Sequence, residues 1–198
     1  AFRKKIDIHF FFPKVKPFKA NHENTAIVSI LNDDFVEYFE KFASSILKHN
    51  PNFEFPWYIY FEEEISPLSN ESKKRIKKIY KNVLFKEVEL EKYSKFKNLV
   101  PNNLFPAILK LELFKLKGFK KILCLDVDTL CLGNLDYLLD NDFNFACAQA
   151  GTDYRSIVKN SGSFKRNIAF NTGIVIFGEE LLKEGDLIHS RIMRYNSY

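Results

Sequence analysis

The chain has 198 residues, 46% of them hydrophobic, a size and composition that suit one domain with a full core. The net charge of +5 and pI near 8.9 come from dispersed lysines, which argues against a nucleic-acid-binding surface, and no apolar run approaches the ~18 residues of a membrane-spanning helix. Three cysteines, Cys124, Cys131 and Cys147, are an odd number at spacings that suit neither a disulfide framework nor a zinc site, so a reducing compartment, most simply the cytoplasm, is expected.

Residues 1–24 are basic, aromatic and broken by proline, and read as an arm ahead of a domain over 25–198. Nothing at Ala1 resembles a cleavable signal, and the start leaves room for a segment upstream. Ala26–Leu31 predicts a buried strand that ends in the turn cluster Asn32-Asp33-Asp34. Phe35, Phe39, Phe42, Ile46 and Leu47 then recur at helical spacing until Asn50-Pro51. Trp57–Phe61 predicts a second strand. Ser69–Lys81 predicts a polar helix with Glu71 early and lysines late, as the helix dipole favours, and a solvated face accounts for those lysines.

A third strand is expected within Asn82–Val88 and a helix over Leu104–Lys117. Lys121–Leu125 predicts a strand, Leu135–Leu139 a helical turn or two, and Phe143–Ala148 another strand. A polar loop over 151–169, a strand at Thr172–Phe177 and a helix over roughly 179–195 complete the chain. Strands alternating with helices predict an α/β fold with a largely parallel sheet. Such sheets bind ligands beyond the carboxyl ends of their strands. Three polar clusters fall at such ends: Asn32-Asp33-Asp34, Asp126-Val127-Asp128 and, less sharply, the loop after Ala148.

The second cluster carries the most information. An apolar run, Ile122-Leu123-Cys124-Leu125, stops at two carboxylates one residue apart. In an extended chain residues i and i+2 share a face, so Asp126 and Asp128 are expected to project together. Paired carboxylates repel and lose hydration, which a divalent cation with oxygen ligands relieves. Aspartates also cap turns, and on Lys121–Leu130 alone the two readings stand level. A phosphatase of the haloacid-dehalogenase type opens on a similar Asp-x-Asp strand, but there the motif begins its domain and a later acidic pair is needed. A nucleotide-sugar transferase places Asp-x-Asp in mid-domain, where a metal on it bridges the sugar diphosphate.

The stretch from Phe105 to Leu139, with Pro106, Lys110 and Leu111 ahead of Leu125-Asp126-Val127-Asp128, resembles the core of family 8 glycosyltransferases. Phe170-Asn171-Thr172-Gly173 and its strand resemble that family's later Phe-Asn-x-Gly motif, and Ser29–Pro51 resembles its first strand and helix. The resemblance spans about residues 25–195, with the three motifs in order. It implies a GT-A, Rossmann-like α/β fold with a mostly parallel sheet flanked by helices. It also implies retaining transfer of a hexose from a UDP-sugar to a saccharide or lipid-linked saccharide acceptor, in bacterial lipopolysaccharide or lipooligosaccharide synthesis.

By the same resemblance, Asp126 and Asp128 bind Mn²⁺ or Mg²⁺, and Asp126 also touches the ribose. Asn32 and Phe35 hold the uridine, the ring against the base. Lys110 contacts donor phosphate or sugar, Asn171 with Thr172 contacts the donor sugar, and Asp153 or Gln149 lines the sugar pocket. Phe35 as a core residue, Lys110 as a solvated lysine and Asn171 as a turn residue are the plainer alternatives. The family continues to an Asp-Gln pair and a His in His-x-x-Gly-x-x-Lys-Pro-Trp, absent from these 198 residues. His189 lacks those neighbours, so the resemblance implies a domain truncated at its C-terminus. The expected setting is cytoplasmic, with peripheral association at the inner membrane face. The competing classes are a phosphatase and a catalytically inactive nucleotide-sugar-binding module.

Overall fold

The computed structural model describes residues 24–64, 67–99, 102–149 and 170–194. The predicted arm, up to residue 23, and the predicted loop over 151–169 lie outside them, as does Asp153. The strands are β1 (Thr25–Ile30), β2 (Trp57–Phe61), β3 (Val83–Glu87), β4 (Lys121–Leu125), β5 (Phe145–Gln149) and β6 (Phe170–Phe177). They form one sheet in the order β3-β2-β1-β4-β6-β5. The β1–β2, β1–β4 and β2–β3 pairs are parallel, whereas β6 runs antiparallel to both β4 and β5. The sheet is therefore mixed, and β6 is the strand that departs from the parallel expectation.

Strand alternation sorts the core into two layers. On one face Ile27, Trp57, Ile59, Phe61, Leu123 and Leu125 meet α1 (Val36–His49) and α2 (Asn70–Ile79) through Phe39, Phe42, Ile46 and Ile76. On the other face Ala26, Val28, Tyr60, Ile122 and Cys124 pack with Tyr93, Phe105, Leu109 and Leu113. The latter come from two 3-10 segments, Leu90–Leu99 and Asn102–Lys115. Their layer is completed by α4 (Glu179–Lys183) and α5 (Gly185–Arg194), following the short α3 (Asp136–Asp140) on the way from β4 to β5.

The helical faces follow from local chemistry. Ser69 caps α2, its side chain accepting from the Ser72 N–H at 3.2 Å. Arg75 of α2 grips Glu40 of α1 with two hydrogen bonds of 2.9 Å. The lysine-rich face is that of an ordinary surface helix, with Lys73 paired to Glu63 at 3.4 Å. The helix expected over Leu104–Lys117 is a 3-10 segment over Asn102–Lys115 containing Pro106, which lacks an amide donor and disfavours αR geometry at Phe105. The expected C-terminal helix is two, α4 and α5, broken at Glu184. Among the described residues no helix is long and apolar enough to cross a membrane, and all three cysteines are free.

A buried polar network ties α5 to the Asn102–Lys115 segment. The Tyr93 hydroxyl donates to Glu112 Oε1 and lies 3.0 Å from His189 Nε2. Lys92 Nζ sits 2.8 Å from Glu112 Oε1, and Lys115 Nζ 3.7 Å from Oε2. Burial pushes the Glu112 carboxyl up, but hydrogen bonds from Lys92 and Tyr93, with the charges of Lys92 and Lys115, outweigh it and leave it below the ordinary value. Burial and then Lys115 hold His189 below its ordinary 6.5, with Lys92 adding to this and Glu112 and Asp186 opposing.

Both groups bind a proton less readily in the fold than in the unfolded chain. Stability from His189 is thus present above about pH 6.5 and lost as pH falls through its lowered value. Glu112 acts in the same direction at lower pH. The melting temperature is expected to drop as pH goes from about 7 to about 5, the window that starts at the ordinary His value, and His189→Gln should flatten that part of the profile. An equally steep profile in the variant would assign the acid sensitivity elsewhere.

Candidate active site

The carboxyl ends of β1, β2 and β4 open onto a cleft of about 280 Å³. It is lined by Asn32 and Phe35 after β1, Phe61 and Glu62 at the end of β2, Pro106, Ala107 and Lys110 from the 3-10 segment, and Asp126 and Asp128 after β4. The strand ends are locked together below it. Ser29 Oγ donates to the Leu125 carbonyl at 2.7 Å and accepts from Trp57 Nε1 at 3.1 Å, which cross-links β1, β4 and β2 one residue before Asp126.

Strand pairing ends at Leu125, and Val127 and Asp128 lie in a turn. Asp126 and Asp128 therefore do not share a strand face; the turn, closed by Thr129 Oγ1 donating to the Asp126 carbonyl at 2.8 Å, is what aims both carboxylates at the cleft. Val127 is buried in the core as expected. The following loop is fastened to α1: the Cys131 N–H donates to Ser45 Oγ at 2.9 Å, and the Leu135 N–H to Asn50 Oδ1 at 2.7 Å. Asn50, read from sequence as a helix stop, is also this anchor.

The first cluster divides its labour. Asp33 accepts from the Ser69 N–H at 2.9 Å, and hydrogen bonds from Ser72 and then Ser69 hold its carboxyl below the usual value. Asp33 thus pins the start of α2. Asn32 faces the cleft, and its Oδ1 is buried with no hydrogen-bond partner among the described residues, a configuration that a ligand N–H would satisfy. Phe35 is 43% exposed and stands 5.7 Å from the Tyr38 ring, so it is a cleft-wall aromatic and not a core residue.

Lys110 is not a solvated lysine. Its Nζ is 2.8 Å from Asp126 Oδ1, 2.8 Å from the Thr172 carbonyl and 3.2 Å from Thr172 Oγ1. Thr172 reaches that position through an irregularity in β6. Cys147 pairs with Val175, but the next residue, Ala148, pairs with Asn171, so Thr172–Ile174 bulge from the β5 ladder. Within the bulge the Gly173 carbonyl accepts from the Asp126 N–H at 2.8 Å. Asn171 Oδ1 accepts from the Gly173 N–H at 2.6 Å. Asn171 is exposed, outside the residues that line the cleft, and shapes the bulge. A Cβ at Gly173 would meet Asn171 Oδ1 at 2.8 Å and Asp126 Oδ2 at 3.5 Å, so glycine permits this close approach. Gln149 ends β5 at the same edge of the sheet.

Sequence reasoning missed Glu62, 2% exposed at the cleft floor, with Oε2 accepting from the Glu64 N–H at 3.2 Å. The signal was present, since Glu62-Glu63-Glu64 directly follows a strand. As a metal site, Asp126 and Asp128 offer hard carboxylate oxygens suited to Mg²⁺ or Mn²⁺. No cluster of three or more His, Cys, Asp or Glu that could hold an ion occurs among the described residues. The donor set fits an ion whose remaining positions are filled by water and ligand oxygens.

A mixed six-stranded sheet between helical layers, with an acidic cleft at its carboxyl edge, is the GT-A glycosyltransferase fold. The galactosyltransferase LgtC, crystallised with donor and acceptor sugar analogs, matches with a TM-score of 0.63 at 18% identity over 86% of this chain and 66% of that one. The bifunctional glycosyltransferase WbbM matches at 0.64 with 16% identity over 91% of this chain and 35% of its own. Core-mannan synthase A (CmsA/Ktr4) from Aspergillus fumigatus, in its Mn/GDP form, matches at 0.58 with 11% identity, over 90% and 66%. The chain thus spans just under two thirds of LgtC and about a third of WbbM. No curated protein matches it. The family model described as glycosyl transferase family 8 matches residues 26–195, and the chain belongs to that family.

Proposed function

We propose that this domain takes a UDP-hexose into the cleft and transfers the hexose, with retention of configuration, to a saccharide or lipid-linked saccharide acceptor. The observation that carries the reading is the convergence of Asn32, Phe35, Lys110, Asp126 and Asp128 on one cleft at the carboxyl edge of the sheet. Asn32 Oδ1 accepts the base N–H, and the Phe35 ring stacks against the base, an interaction worth about 1–3 kcal/mol. Asp126 and Asp128 hold Mn²⁺ or Mg²⁺, and a bound ion supplies positive charge against the departing diphosphate. Lys110 adds a cation to the same oxygens. Asn171 and Asp153 act at the donor sugar, Asn171 through the Thr172–Ile174 bulge, and Gln149 borders the sugar pocket. A role in lipopolysaccharide or lipooligosaccharide assembly at the cytoplasmic membrane face agrees with the net charge of +5.

Calorimetry of UDP with Mn²⁺ and with EDTA tests this reading. Binding is expected to be clearly tighter with Mn²⁺. Equal affinity in both would remove the metal site, and phosphate release from p-nitrophenyl phosphate would favour a phosphatase instead.

A further inference from the structure

Among the described residues Lys110 is the cation paired to Asp126, and its other polar contacts are to Thr172. Its ammonium has three N–H donors, and three acceptors are within reach: Asp126 Oδ1 at 2.8 Å, the Thr172 carbonyl at 2.8 Å and Thr172 Oγ1 at 3.2 Å. The lysine side chain is 16% exposed and the aspartate side chain 36%. The ammonium is therefore held largely out of water, where its charge on Asp126 is poorly screened. A divalent ion approaching Asp126 alone meets this resident positive charge and an oxygen already engaged.

We infer that Lys110 is a stand-in cation: it holds Asp126 closed to free divalent ions and yields it only when a nucleoside diphosphate offers the ammonium other oxygens. The inference rests on the metal reading above. Its consequence is that metal and nucleotide bind as a unit, each improving the other by the same factor. A diphosphate brings several anionic oxygens to the cleft wall on which Lys110 lies, so the ammonium exchanges one anionic partner for another without being stranded. Asp126, freed of its internal counter-charge, would then be able to hold the ion together with Asp128. Removing the lysine should therefore have opposite effects on the two ligands, which a purely structural lysine cannot produce.

The test measures free Mn²⁺ by electron paramagnetic resonance on the full chain, first without nucleotide. Lys110→Met is expected to bind Mn²⁺ alone about five-fold more tightly than the unsubstituted chain, the scale of a partly exposed ion pair, while its affinity for UDP with Mn²⁺ falls. Lys110→Arg should behave as the unsubstituted chain. Lys110→Gln keeps a donor for the Thr172 carbonyl and should repeat the gain, which guards against misfolding of the methionine variant. Neutral variants that keep their thermal melt but bind free Mn²⁺ no better would overturn the stand-in role. An unsubstituted chain that binds UDP equally with Mn²⁺ and EDTA would instead remove the metal reading itself, so the two failures are distinguishable.

Discussion

Asp128→Asn is expected to weaken Mn²⁺-dependent UDP binding by roughly 5- to 150-fold while leaving the thermal melt in place. The magnitude is that of losing a charged partner, about 1–3 kcal/mol. The separation of the two effects follows from the site. Asp128 is exposed at the cleft mouth and enters no hydrogen bond or ion pair among the described residues. Asp126, by contrast, is bonded to Gly173 through its N–H, to Thr129 through its carbonyl and to Lys110 through its carboxylate. Asp126→Asn would therefore confound binding with stability, and Asp128→Asn does not. If Asp128→Asn melts the domain yet binds UDP with Mn²⁺ normally, the aspartate is a turn cap.

Gly185→Ala should be strongly destabilising. A Cβ there would lie 2.1 Å from the Phe114 carbonyl oxygen and 3.0 Å from its carbon. Both atoms are backbone, so no rotamer change relieves the clash and α5 must lift from the Asn102–Lys115 segment. The cost is about 3 kcal/mol or more, a fall of roughly 6–12 °C in melting temperature for a domain of this size. UDP affinity should fall as well, because Phe114 lies on the segment that presents Lys110 to the cleft. Gly133→Ala is the control, since a Cβ there meets nothing within 4 Å. Equal melting temperatures for the two variants would show that α5 does not set the position of that segment.

Much of the fold was readable because its determinants are local. Trp57–Phe61 and Lys121–Leu125 occupy the spans that their apolar runs predict, and Ser69 caps the helix that its position suggests. What the sequence hid is contact-dependent. The antiparallel course of β6 is a matter of pairing that no periodicity reveals. The break at Glu184 precedes Gly185, whose closeness to Phe114 is a tertiary contact. Leu90–Leu99 carries no clean apolar period, and its buried Tyr93 has meaning only beside Glu112 and His189.

The site was legible in outline for the same reason. Asn32, Phe35, Lys110, Asp126 and Asp128 do share one cleft. The two aspartates converge through a turn and not through a strand pleat. The bulge at Thr172–Ile174 depends on a register shift between strands and leaves no mark in composition.

The connection between β5 and β6 leaves the sheet at Gln149 and returns at Phe170, and these two residues are cross-strand partners. Its two ends are thus held side by side at the edge where the cleft opens. Lengthening a connection whose ends are already fixed is cheap, about 0.6 kcal/mol for each doubling. Descendants of such a domain can exchange this stretch as a cassette between two fixed anchor points. The ladder, the carboxylates and the lysine stay constant while the length of that stretch changes.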